Sequence, residues 1–125
     1  MNYTSIEQGK TLISLGLPPD SADMEYCDCA KVSDPDKVRI PCIINREETD
    51  FDARYDVPCW SVGALMDKMP ILIGINRVWL TSHYGGYSCT YGSYKGTFHA
   101  ETEKTAIDAC YKMMVWLLEN NHLRP

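Results

Sequence analysis

Residues 74–121 read GINRVWLTSHYGGYSCTYGSYKGTFHAETEKTAIDACYKMMVWLLENN, and they decide the fold. The second half of this stretch runs without Gly or Pro from Thr102 to Asn120, which predicts one long helix. At 100° per residue, Ala106, Ile107, Ala109, Cys110, Met113, Met114, Trp116, Leu117 and Leu118 share one arc. Lys104, Asp108, Lys112 and Glu119 lie opposite. The apolar arc covers roughly 200° of the wheel, wider than a single stripe, so the helix needs a sheet beneath it and a second element on its flank. Thr102 is the expected N-cap, and Asn121 suits a left-handed residue after the last turn.

The first half alternates. Val78, Leu80 and Ser82 interleave with Arg77, Trp79, Thr81 and His83. After Gly85-Gly86, Tyr87, Cys89 and Tyr91 interleave with Ser88 and Thr90. Gly92 to Gly96 marks a second turn, and Thr97 to Ala100 returns as a third strand. This predicts an antiparallel meander with Val78, Leu80, Phe98 and Ala100 facing the helix and with Arg77, Trp79, Thr81 and His99 on the outer face. Arg77, Trp79, Tyr84, Tyr87 and Tyr91 are the candidate interaction surface, and through it the chain would form a homodimer. The competing expectation is that N-terminal segments cover that face and bury Trp79.

Outward from this stretch, Pro58-Cys59-Trp60-Ser61 precedes Val62, Leu65, Met66 and Met69 at helical spacing, with Pro70 as the stop. Ser61 is the N-cap, and Trp60 closes on Leu65 as a hydrophobic staple. Thr4-Ser5-Ile6-Glu7 reads as a capping box with Thr4 as N-cap, opening a helix that ends near Leu15 at Gly16. Pro19 to Tyr26 reads as a single helical turn. Val38 to Ile44 alternates as a strand, and Pro41 confines it to a sheet edge. Arg46 to Asp56 is a charged loop. The expected class is therefore α+β: a two-layer domain in which a three- to four-stranded antiparallel sheet packs on a long C-terminal helix, in the order α-β-α-β-β-β-α. One domain spans 1–125, with 1–57 holding the N-terminal helix, edge strand and acidic loop, and 58–125 the helix, meander and helix.

Composition narrows the chemistry. The chain is 45% hydrophobic and 23% charged, with a net charge of −5. Stacking platforms for nucleic acid come with a positive groove, and this charge argues against one. No stretch has the length of a membrane span, and Met1-Asn2-Tyr3-Thr4 opens no signal peptide, so a reducing cytoplasm is expected. There the six cysteines read as small hydrophobes and thiols rather than disulfides.

Cys27-x-Cys29 could recruit Cys42 and Cys59 to a tetrahedral zinc site, with His83 or His99 as further ligands. The one-residue spacing and the lack of a second paired motif favour unligated thiols. Asp50, Asp52 and Asp56 lack the Gly and terminal Glu of a calcium loop. A Cys89 or Cys59 thiol beside His83 or His99 would be a nucleophile with its base, and His83 and Cys89 could meet across the Gly85-Gly86 turn. No phosphate-binding loop, dinucleotide fingerprint or nucleophile elbow accompanies them, so no cofactor is expected and the pattern leaves an enzyme activity open without supporting one.

Two resemblances add to this reading. Thr4-Ser5-Ile6-Glu7-Gln8, Gly16-Leu17-Pro18-Pro19 with Ala22-Asp23-Met24, Pro58-Cys59-Trp60-Ser61 with Leu65, and Val115-Trp116-Leu117-Leu118-Glu119-Asn120 resemble short uncharacterised proteins of bacterial phages and mobile elements. That resemblance implies an accessory role without defined chemistry. From Ser61 onward, helix, three strands and helix resemble the double-stranded-RNA-binding domain, and the strand-strand-strand-helix part resembles HicB-type antitoxins. Topology alone does not carry function. The position that would meet phosphates reads Glu101-Thr102-Glu103-Lys104, which repels them. The expectation is a non-enzymatic accessory module that binds an unidentified protein or a second copy of itself. A thiol- or zinc-dependent protein using Cys27 and Cys29 is the alternative, and an antitoxin-like or nucleic-acid-binding module the next.

Overall fold

The structure, a computed structural model, describes residues 2–26, 41–43 and 57–123. In chain order its elements are α1 (Ile6–Ser14), a 3-10 turn (Pro19–Ser21), β1 (Met24–Tyr26), β2 (Pro41–Ile43), β3 (Val57–Cys59), α2 (Val62–Lys68), β4 (Leu72–Ile73), β5 (Asn76–His83), β6 (Gly86–Ser93), β7 (Gly96–Glu103) and α3 (Ala106–Glu119). The architecture is α+β, as expected: one sheet is ordered β4-β5-β6-β7, and a smaller one β2-β1-β3. All pairings among the described residues are antiparallel. Among the described residues, no helix is long and apolar enough to cross a membrane.

The C-terminal helix starts later than its sequence allows. Thr102 lies in β7, opposite Ser88, and Thr105 is the N-cap instead, its hydroxyl accepting the Asp108 N–H at 3.2 Å. Two threonines three residues apart can each cap a helix. Pairing with β6 holds the first in the sheet, because the strand's ladder bonds outweigh three more helical residues. At the other end Asn121 takes φ 58°, and the His122 N–H reaches the Leu117 carbonyl at 2.9 Å, a Schellman closure. Between these ends α3 buries Ile107, Ala109, Cys110, Met113, Met114 and Leu117.

Residues paired across antiparallel strands share a face. Val78-Tyr91-His99 and Leu80-Cys89-Glu101 therefore form rows under α3, whereas Trp79-Thr90-Ala100 and Thr81-Ser88-Thr102 form rows on the outside. Phe98 reaches the Trp116 ring of α3 as expected, but beyond it β7 is inverted relative to the sequence reading: Ala100 faces out and His99 faces in. The register shifts at Tyr91/Gly92, leaving Phe98 as the extra residue, and one inserted residue exchanges every later side chain between faces. Trp79 keeps 41% of its surface, so the expectation that it would be covered is not met.

Its ring lies instead across Gly92. A Cβ at that position would stand 2.8 Å from Trp79 Cη2, closer than packing allows. Glycine is needed there for close approach.

The N-terminal part is stitched to the rest through Thr4. Ser5, one residue beyond the expected cap, forms the capping box with Gln8 at 3.1 and 2.9 Å. Thr4 is fully buried, its hydroxyl accepting the Trp60 N–H at 3.0 Å and its carbonyl the Tyr26 hydroxyl at 2.7 Å. Gly16 ends α1 at φ 102°, and the Leu17 N–H closes on Leu12 O at 3.0 Å. The helical turn expected over Pro19 to Tyr26 is confined to Pro19–Ser21, and β1 follows it. As read, Ser61 caps α2, and Trp60 and Leu65 are both fully buried in one cluster with Leu12, Met113 and Leu117. The loop 46–56 with its acidic residues lies outside the described residues.

Replacing Gly92 by Ala is expected to cost about 1–3 kcal/mol, because Trp79 or the strand must shift. Gly63→Ala, in the exposed face of α2 with nothing closer than 3.8 Å, should instead gain about 0.5–1 kcal/mol. Urea unfolding of both variants tests the contrast, and an equal effect of the two would contradict it.

Candidate functional site

The structure separates the five candidate interaction residues. Arg77 and Trp79 stand exposed on the outer face, and Tyr84, in the β5–β6 turn, is wholly exposed. Tyr87 pairs with Ser82 and Glu103 on the face toward α3 and keeps 37% of its surface. Tyr91 is fully buried under the helix, and its hydroxyl donates to the Pro70 carbonyl at 2.6 Å. Burial and the neighbouring Cys89 push its ionisation well above the usual phenol range. Among the described residues no continuous tyrosine platform forms, because alternation along β6 places Tyr87 and Tyr91 on the inner face.

Other apolar residues take that place. Leu72 pairs with Arg77 and so shares the outer face with Trp79, one step away diagonally. Ile71 and Ile75 flank β4, and Ile71, Leu72 and Ile75 are 69%, 56% and 58% exposed. The run Ile71-Leu72-Ile73-Gly74-Ile75 carried this signal as four large apolar residues without alternation beside a glycine.

The thiols have other surroundings than catalysis needs. Cys27 and Cys29 lie outside the described residues, and Cys42 is described only as the β2 backbone partner of Glu25, on the sheet edge. Cys59 is buried, donates to the Thr4 carbonyl at 3.4 Å, and is pushed up to about 11 mainly by loss of solvent. Cys89 and Cys110 meet where β6 passes under α3. The proximity of Cys110, together with burial, holds the Cys89 proton far above the usual range, and Cys110 is lowered in turn. Met69 Sδ lies 3.9 Å from Cys89 and Met66 Sδ 3.8 Å from Cys110.

The postulated meeting of His83 with Cys89 does not occur. His83 belongs to the outer-face series, where its Nε2 contacts Ser88 Oγ at 2.9 Å and Ser88 contacts Thr102 at 2.8 Å. Cys89 is on the other side of the sheet. Among the described residues, no three His, Cys, Asp or Glu side chains are close enough to hold a metal.

His99 is engaged by α3. Its ring stacks on Trp116 at 3.9 Å and 8°, His122 stacks on the same indole at 4.9 Å and 28°, and Phe98 meets it edge-on at 6.0 Å. His99 Nε2 is shut off from solvent, 3.7 Å from Glu101 Oε2 and without a hydrogen-bond partner among the described residues. Alongside runs a shallow groove lined by Glu101, Tyr111, Lys112, Val115, Trp116 and Glu119. Glu103 forms an ion pair with Lys112 and raises its pKa. These surfaces can bind, and Cys59, Cys89 and Cys110 are buried.

Iodoacetamide labelling with peptide mapping should therefore modify Cys59, Cys89 and Cys110 only after unfolding; rapid native labelling of any of the three would contradict this. Because folding raises the Cys59 pKa from 9.0 to about 11, its contribution is complete below 9.0 and is lost as pH rises toward 11. Stability should fall with pH across that window, less steeply in Cys59→Ala, as urea midpoints would register. Compared with known protein families, with curated proteins and with solved structures, the chain has no significant match in any of the three.

Proposed function

We propose that the chain is an accessory protein-interaction module of phage or mobile-element type, acting in the cytoplasm without catalysis of its own. Its binding site is the sheet corner at Ile71, Leu72, Ile75 and Trp79, which receives an apolar segment of another polypeptide. One observation carries the reading: Leu72 and Trp79 stand exposed on the outer face of the sheet, and Ile71 and Ile75, exposed as well, flank the short strand that carries Leu72. Clustered exposed apolar residues mark contact sites, whereas isolated ones are ordinary surface.

Charge supports a protein rather than a nucleic acid. The chain carries −5 overall, and Glu101 and Glu103 precede the α3 N-terminus. An acidic surface repels phosphates and loses the counterion-release driving force on which nucleic-acid binding depends.

Selection from a random peptide library against the full chain tests the proposal. Enriched peptides should carry large apolar residues, and Leu72→Ser and Trp79→Ser should weaken their binding at least about tenfold. Peptides indifferent to both substitutions, or salt-sensitive binding of homopolymeric RNA in their place, would overturn it.

A further inference from the structure

The strand β7 is the last of the sheet among the described residues, and its eight residues present a row of backbone donors and acceptors on the side away from β6. Such an edge accepts another strand. The sequence of β7 selects which one. If two copies of Gly96–Glu103 are laid antiparallel with a twofold axis at Ala100, His99 faces the partner's Glu101 and Glu101 faces the partner's His99. Ala100, small and exposed, then meets its own copy at the position where the twofold demands identity. The His99 Nε2, which lacks a hydrogen-bond partner among the described residues, gains an acceptor directly across the new pair.

The helix above gives the same axis independently. Glu103 pairs with Lys112 and His99 stacks on Trp116, so α3 runs antiparallel over β7 and the point above Ala100 falls near Val115–Trp116. An antiparallel pair of α3 helices centred there brings Lys112 to the partner's Glu119, again a self-complementary match. The spacing also closes. The helix sits over β6 and β7, about 5 Å from an axis midway between two neighbouring edge strands, which separates the two helices by about 10 Å, an ordinary packing distance. The groove lined by Tyr111, Lys112, Val115, Trp116 and Glu119 is the flank that the partner helix would cover.

We propose that two copies of this chain pair antiparallel through β7, joining their sheets into one of eight strands with the two α3 helices side by side on the same face. The partner is a second copy, because both the strand and the helix flank are complementary to themselves about one axis. This interface is separate from the Ile71–Trp79 corner and does not depend on it.

Sedimentation equilibrium of the full chain tests the proposal. The wild type should sediment at twice its 14.2 kDa mass. Ala100→Lys places two lysines against each other at the axis, and Glu119→Lys sets a lysine against the partner's Lys112; each should raise the dissociation constant roughly fivefold to tenfold. Glu119 is exposed, so Glu119→Lys keeps the fold and remains informative even where Ala100→Lys does not. Leu72→Ser, at the other corner, should leave the dimer unchanged. A monomer at the highest attainable concentration overturns the proposal. So does a dimer insensitive to Glu119→Lys, or one dissolved by Leu72→Ser, which would move the contact to the outer face.

Discussion

The structure depends on the burial of one side of α3 against the inner face of β6. Ile107, Cys110, Met113, Met114 and Leu117 lose all but a trace of their surface there, against Cys89 and Tyr91, which lose all of theirs. The other elements are attached to this contact. The helix α2 brings Leu65 and Met69 to its flank, α1 brings Leu12 and hydrogen-bonds α3 from Gln8 to Asp108 at 2.8 Å, and Trp60 fills the space between them. Truncating one such residue to Ala costs about 2–5 kcal/mol, against a typical domain stability of about 5–15 kcal/mol. Loss of two would leave little to hold the smaller sheet in place. The N-terminal residues reach this core through Thr4, which satisfies backbone groups of Trp60 while itself fully buried.

The same burial determines what remains for function. With α3 on the inner face, Tyr91 and Cys89 beneath it keep their protons, and so does Cys59, buried apart from them in the smaller cluster with Tyr26 and Val57. A nucleophile needs a thiolate with access to solvent, and Cys59, Cys89 and Cys110 are shut off from solvent. Among the described residues, what stays outside includes the apolar corner beside β4 and the edge of β7 away from β6. Both are surfaces on which another polypeptide can end its own exposure, one by side chains and the other by backbone.

Helical periodicity made α2 and its cap legible, because Ser61, the staple of Trp60 on Leu65 and the stop at Pro70 all agree locally. It also identified α3, but the arc from Thr102 could not reveal where strand pairing stops. Thr102 and Thr105 are equivalent as caps until β6 is present to claim the first. The facing of β7 was hidden for the same reason: the bulge at Gly92 is set by the partner strand and by the Trp79 ring lying over it, and neither appears in the period-two pattern. The β1 strand over Met24–Tyr26 is three residues long and exists through pairing with β2 and β3. In the candidate surface, Trp79 was legible as an outward residue, whereas Tyr91 required the actual face of β6. Ile71, Leu72 and Ile75 were missed because a short apolar run beside Gly74 carries no periodicity that says which way it turns.

Native-state hydrogen exchange bears most directly on the claim that α3 and β6 form one cooperative unit. The slowest amides should be those of Cys89 to Tyr91 and of Cys110 to Leu117, and Leu117→Ala should speed both groups by the same factor. Fast exchange in β6 while α3 stays protected, or a response to Leu117→Ala confined to the helix, would contradict it.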